Sequence, residues 1–339
     1  MKNIIVLAVS TVVLIVCSVI IVVNLGNFGI SDIPDTPDVP DNADSVGEIV
    51  KTPDFEISFL DLAEKYPLVP ESGSTVYSDE VLPQWEELYG KNADFKGWLK
   101  IGETVVDYPL LQVDGDDTDF YYLHRGFDKT YLYDGSLFID AHTPIKDSRR
   151  PDNTVIYGHN LKNGRMFGSL TKYYTPVHGM GEYTRYPTME FSTVYDDERN
   201  TYKIFAGMYV NTLAEHGEVF YYFTKRIFRS QNDFLDFVEN VLDRSVFYTD
   251  VDLQYGDEIL TLSTCYYPLG NETDRFVLFA RRVREGESEE VDTSVAYANP
   301  NPKYFDYYYK VKGGKWNGRT WDTSKVKNYD EYSQLTIDN

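Results

Sequence analysis

Cysteine is almost absent from this 339-residue chain, which has only Cys17 and Cys265. Cys17 lies inside an apolar N-terminal run, where it cannot meet Cys265 in a folded domain, so a disulfide framework is excluded. If the rest of the chain is exported, Cys265 is a lone thiol in a compartment where thiols are normally paired or avoided. Positive charge is also scarce. The 32 Lys and Arg stand against 54 Asp and Glu, a formal net charge of -22, which argues against nucleic acid or an anionic lipid surface as a partner. Histidine occurs five times, at 124, 142, 159, 178 and 216. The length is enough to bury a core without disulfides or metals, and no metal or cofactor is expected.

Aromatic residues are plentiful. The 29 Tyr and 19 Phe favour a strand-rich domain over a helical bundle. Residues 4–23 form an uncharged apolar run of 20 residues, long enough as a helix to cross a hydrocarbon core of ~30 Å. Residues 24–28 offer no small-x-small cleavage site, so the run reads as an uncleaved transmembrane anchor. Lys2 precedes it and Asp32 and Asp35 follow it, which keeps residues 1–3 in the cytoplasm and places the rest outside a single-pass cell membrane. Residues 24–54 read as an acidic stalk. Pro34, Pro37 and Pro40, interleaved with Asp, favour an extended, self-repelling spacer.

Residues 55–284 read as one mainly β catalytic domain. It begins with two stretches of helical periodicity, Phe55 to Tyr66 and Asp79 to Tyr89. From Gly97 the pattern turns to short β runs: GWLKI, VVDYPLL, GSLFID, NTVIYGH, TYKIFAGMYV, DEILTLST and RFVLFARRV. Seven or eight such runs predict a closed or nearly closed barrel. One helix interrupts them before the cysteine strand, with Ser230 and Asp233 resembling a capping box and Phe234, Phe237, Val238, Val241 and Leu242 at helical spacing. Residues 285–339 form a Tyr- and Lys-rich tail without evident chemistry, expected to dock along the domain through its aromatics.

Cys265 ends one β run and Arg275 opens the next, with the turn formers Pro268, Gly270 and Asn271 between them. An antiparallel hairpin would set the two side by side, about 4.5 to 5.5 Å apart at Cα. A guanidinium there favours the thiolate and offers a donor for an oxyanion. Cysteine chemistry also needs a proton carrier near neutral pH. His159 ends a β run, as Cys265 does, but spacing alone leaves His142 as an alternative.

The run TLSTC at 261–265, Arg275 opening RFVLFARRV, and NTVIYGHN around His159 together resemble the signature of sortases. GWLKI, YPLLQ, GSLFID, MFGSLTKY and the helix before the cysteine strand resemble class B. The resemblance spans about residues 80–284. It implies an eight-stranded barrel with N-terminal helices, in which Cys265 attacks the carbonyl after the Thr of an Asn-Pro-x-Thr-like sorting signal near the C-terminus of a secreted protein. An amine of a peptidoglycan precursor or a pilin subunit would then resolve the thioester. By the same resemblance His159 shuttles the proton and Arg275 holds substrate and oxyanion. Leu123, Ser263, Tyr222 and Phe223 become substrate contacts, and Tyr266 stands where some members carry an acidic residue. The rival readings are a wall-acting cysteine peptidase, disfavoured because His159 precedes a cysteine at a strand end, and a non-catalytic adhesin with an inert Cys265.

Overall fold

The computed structural model describes residues 80–113, 120–174, 180–196, 200–270 and 273–337. The apolar run 4–23, the stalk 24–54 and the helical stretch Phe55 to Tyr66 lie outside them. Among the described residues no helix is long and apolar enough to cross a membrane.

The chain enters through a 3-10 turn at Pro83–Trp85 and helix α1 (Glu86–Lys91). The expected helix over Asp79 to Tyr89 is thus a 3-10 turn from Pro83 and α-helical only from Glu86, with Asp79 outside the described residues. Proline disfavours helical backbone in the residue before it, and Leu82 is accordingly extended, with φ -71° and ψ 147°. Its N–H is used instead on the Val194 carbonyl at 2.9 Å.

The strands that follow are β1 (Phe95–Lys100), β2 (Asp107–Leu111), β3 (Leu137–Ile139), β4 (Asn153–Gly158), β5 (Thr188–Thr193), β6 (Asn200–Val210), β7 (Phe247–Tyr248), β8 (Ile259–Cys265), β9 (Arg275–Arg282) and β10 (Tyr297–Ala298). Eight of them close into a barrel in the order β1-β2-β3-β4-β8-β9-β6-β5, and β10 pairs with β7 outside it. The seven β runs of the sequence are all there. The eighth strand, β5, alternates polar and apolar residues from Thr188 to Ser192, but with only Met189 and Phe191 as apolar members it is too short a run to stand out in the sequence. Helix α2 (Gly181–Arg185) leads into β5, and α3 (Gln231–Arg244) precedes β7 and β8.

Strand parity sorts the side chains into two cores. Leu260 and Leu262 of β8 and Phe276, Leu278 and Ala280 of β9 join the inner cluster with Leu99, Leu110, Ile156 and Phe191. The alternate residues Ile259, Val277 and Phe279 join an outer cluster with Phe234, Phe237, Val238 and Val241 of α3. Burial on both faces explains why β9 reads as a continuous apolar run rather than an alternation, and each such side chain contributes about 1.5–3 kcal/mol. Helix α3 starts where expected, since the Ser230 hydroxyl accepts the Asp233 N–H at 3.2 Å. The reciprocal half of the capping box is absent. The Asp233 carboxylate takes the N–H of Arg229, at 3.2 Å, rather than that of Ser230.

The tail docks, as its aromatics suggested. Tyr297 pairs with Tyr248 and Ala298 with Phe247, and the Asn299 amide donates to the Ser245 carbonyl at 2.6 Å. Phe305, just before helix α4 (Asp306–Lys312), enters the inner core. Trp321 and Tyr329, the latter opening helix α5 (Tyr329–Ile337), enter the outer one.

An ion network fixes the start of that tail to β9. The fully buried Arg281 donates to both Glu287 carboxylate oxygens at 2.7 Å and to Asp252 at 2.8 Å. Arg284 bridges Asp252 at 2.8 Å and Asp257 at 2.7 Å. Hydrogen bonds from Arg281 hold the Glu287 carboxyl well below the usual carboxylate range. Burial pushes Asp252 up, but hydrogen bonds from Arg284 and Arg281 and their charges more than offset it. Carboxylates depressed in the folded state give stability that is complete above their unfolded values, about 3.9 to 4.3, and lost as pH falls through the folded ones. Thermal stability is therefore expected to decline as pH drops below about 4 to 5. Arg281→Met should cost about 1.5–3 kcal/mol, because it removes charge-assisted hydrogen bonds to Glu287 and Asp252 while Lys203 and Arg284 still pair those carboxylates. Urea unfolding at neutral pH measures this, and a loss near zero would mean that the network is not a structural tie.

Candidate active site

The site lies at the common end of β4, β8 and β9. Strand β8 runs antiparallel to β9, and the last rung of that ladder pairs Cys265 with Arg275. Strand β4 runs parallel to β8 through the rungs Tyr157↔Ser263 and Gly158↔Thr264. His159 and Cys265 each follow directly on that last rung. Period-2 alternation then puts His159, Cys265 and Arg275 on the same face as Ser263 and Val277, the face covered by α3. The expected Cys265 and Arg275 adjacency is present, and the crossover from β4 to β8 adds His159. His142 is engaged elsewhere, its Nδ1 lying 3.2 Å from the Asp140 carboxylate.

The strand ends are laced together by polar contacts. The Asn160 side-chain amide donates to the Cys265 carbonyl at 2.7 Å, and the Thr264 hydroxyl donates to the Gly158 carbonyl at 2.7 Å. Phe167 N–H donates to the His159 carbonyl at 2.8 Å. Gly158 permits the approach, since a Cβ there would sit 2.3 Å from Leu137 and 2.8 Å from Phe167.

His159 is only 3 % exposed. Its Nε2 lies 2.8 Å from the Leu123 carbonyl, and a carbonyl only accepts, so Nε2 carries a hydrogen and Nδ1 is the basic nitrogen of the neutral ring. Leu123 and His124 belong to a 3-10 turn, Tyr121–His124, whose last residue places its ring 5.0 Å from that of His159, centroid to centroid. Gly135, at φ +62°, lets this turn close, because a Cβ there would lie 2.1 Å from the Leu123 carbonyl oxygen. Burial lowers the basicity of His159, and the neighbouring His124 lowers it further. Cys265, the Leu123 carbonyl and Asp134 act the other way without reversing it.

Cys265 is 6 % exposed and Arg275 2 %. The Arg275 guanidinium donates through Nη1 to the Asp274 carbonyl at 2.8 Å. Tyr222 belongs to a 3-10 turn, Tyr222–Thr224, and its hydroxyl shares a 2.6 Å hydrogen bond with Ser263. Burial pushes the Tyr222 hydroxyl up to about 12, with Arg275 opposing and Cys265 reinforcing, so Tyr222 sits within electrostatic reach of both. Phe223 is half-buried and meets the Tyr222 ring edge-on at 5.4 Å. All four residues expected to touch substrate, Leu123, Ser263, Tyr222 and Phe223, thus border this end of the barrel. Sequence reasoning did not single out Asn160 or His124. Asn160 lies in the run NTVIYGHN, but no periodicity marks it, and His124 looked like an ordinary loop histidine.

A family model describing the sortase domain matches residues 99–283. The chain is 30% identical over 213 residues to sortase B of Listeria monocytogenes, covering 63% of this chain and 79% of that relative. It is 28% identical over 208 residues to sortase B of Staphylococcus aureus, covering 61% and 78%. A solved Staphylococcus aureus sortase B–substrate complex superposes with a TM-score of 0.51 at 28% identity, covering 60% of this chain and 87% of that one. With a closed eight-stranded barrel whose thiol, imidazole and guanidinium meet at one rim, the chain belongs to the sortase family, as a cysteine transpeptidase of class B.

Proposed function

We propose that this transpeptidase cleaves an Asn-Pro-x-Thr-like sorting signal after its Thr and transfers the severed protein to an amine of the cell wall or of a pilin subunit. The observation that carries the reading is the placement of His159, Cys265 and Arg275 at adjoining strand ends on one face. Cys265 passes its thiol proton to His159 Nδ1, its Sγ attacks the carbonyl carbon of Thr, and the Arg275 fork of donors stabilises the oxyanion. As the C–N bond breaks, His159 gives a proton to the leaving amine from Nδ1. The incoming amine then attacks the thioester and returns a proton to Nδ1, and the C–S bond breaks as the new amide forms. Atoms and protons balance over the cycle.

Residues 4–23 would hold the enzyme in the membrane, with the barrel outside the cell on the stalk 24–54. The apolar length and the charge bias around it support this placement. Leu123 on one side and Ser263, Tyr222 and Phe223 on the other are the proposed walls for the signal. The solved sortase B–substrate complex of the Staphylococcus aureus relative supports reading this end of the barrel as a substrate site.

Cys265→Ala and His159→Ala should each abolish transfer of a sorting-signal peptide to an amine while leaving the circular dichroism spectrum unchanged, and the double variant should be no worse than either. Arg275→Lys should lose most of the rate, since a point charge does not replace a planar fork of donors. Turnover by Cys265→Ala would overturn the mechanism, and near-wild-type turnover by Arg275→Lys would reduce Arg275 to an electrostatic neighbour.

Specificity offers a second test. A site that hydrogen-bonds a substrate amide leaves buried polar groups unpaired when an apolar residue takes its place, and such losses discriminate strongly. The Asn-Pro-x-Thr peptide is therefore expected to be processed well ahead of Leu-Pro-x-Thr in a side-by-side assay. Equal or faster turnover of the Leu-Pro peptide would show that the class does not govern substrate choice here.

A further inference from the structure

The extension beyond residue 283 lies outside the sortase-domain match, yet it reaches the strand ends that carry the site. Tyr266 follows Cys265 on the opposite parity and turns to the inner core, where its ring lies 5.4 Å from Tyr174 and 5.7 Å from Tyr209. The extension closes over the same rings. Phe305 meets Tyr209 at 5.3 Å and Tyr308 meets it at 6.0 Å. Tyr304 stacks on Tyr308 at 3.7 Å and shares a 3.3 Å hydroxyl contact with Tyr174.

Tyr209 links this cluster to the reaction. Its hydroxyl donates to the carboxylate of the fully buried Asp274. The Asp274 carbonyl in turn accepts the Tyr266 N–H at 3.1 Å and the Arg275 Nη1–H at 2.8 Å. Asp274 thus joins the two, its carboxylate bonded by Tyr209, whose ring the extension packs, and its carbonyl bonded by the guanidinium. Loosening Tyr209 would remove this tie from Asp274, the residue whose carbonyl the Arg275 guanidinium bonds.

We propose that Tyr304, Phe305 and Tyr308 of the C-terminal extension are positioning residues for catalysis, setting the Arg275 guanidinium against Cys265 through Tyr209 and Asp274. The inference rests on the assigned role of Arg275 in the transfer reaction. It makes the extension part of the catalytic apparatus of this chain rather than a passive wrapping, and it ties its effect to one group.

The test uses full-length protein in detergent with a sorting-signal peptide and an amine. Phe305→Ala and Tyr308→Ala are expected to lower kcat about tenfold with KM changed less than twofold, while Tyr308→Phe keeps the wild-type rate. If Phe305→Ala does not fold, Phe305→Leu serves in its place, with the same direction expected. Iodoacetamide labelling of Cys265 across pH provides a readout that packing alone would not move. Its midpoint should shift upward in the extension variants, because a displaced guanidinium no longer favours the thiolate. In an Arg275→Ala background the extension variants should cause no further loss of rate and no further shift. Wild-type kcat and an unmoved labelling midpoint in folded Phe305→Ala or Phe305→Leu would overturn the proposal, as would a loss that persists undiminished without Arg275. If Arg275→Ala alone retained the wild-type rate, it would be the underlying assignment of Arg275 that fails.

Discussion

The lateral pairing of β4 with β8 and of β8 with β9 is the constraint on which the rest of this molecule depends. Side chains alternate along each strand, so a slip of one residue in either ladder would carry Cys265, His159 or Arg275 to the opposite face. The register is held from both sides. Leu260, Leu262, Phe276 and Leu278 are committed to the barrel interior, while Val277 and Phe279 are committed to the packing under α3. Because burial penalises any slip on both faces, Cys265, His159 and Arg275 stay aligned at their strand ends.

The same double burial explains why the helix inserted before β8 and the C-terminal extension belong to the working structure. A sheet with two apolar faces needs a cover on the outside, and α3 with Trp321 and Tyr329 provides it. That cover also shapes the site, since Tyr222 lies ahead of α3 and bonds Ser263, two residues before Cys265 on the same face. On the inner side, the barrel end near Tyr209 is filled by Phe305 and its neighbours. Stability and catalysis share residues here, so changes in the extension are felt at the strand ends.

Much of this was legible in the sequence, for local reasons. Turn formers between two strong β runs gave the β8–β9 hairpin, and with it the meeting of Cys265 and Arg275. Helical spacing and Ser230 marked α3. What stayed out of reach was non-local. His159 could not be separated from His142 by spacing, because the choice depends on the parallel partnership of β4 with β8 across about a hundred residues of chain. Strand β5 carries only two apolar residues in its alternation, Met189 and Phe191, and Pro83 keeps Leu82 extended, which delays the first helix. The docking of the tail followed from its aromatic content, but its contact with Tyr209 could only be seen in three dimensions. Resemblance supplied the roles of His159 and Arg275, and the geometry is compatible with them.

The proposed transfer requires that Cys265 carry the severed protein as a thioester before an amine takes it. Intact-mass spectrometry of the enzyme mixed with an Asn-Pro-x-Thr peptide, without acceptor amine, tests this most directly. The account predicts an adduct equal to the peptide up to and including its Thr, less one water, which maps to Cys265 and disappears on addition of an amine or hydroxylamine. Product formation with no such adduct, or an adduct that persists in Cys265→Ala, would contradict it.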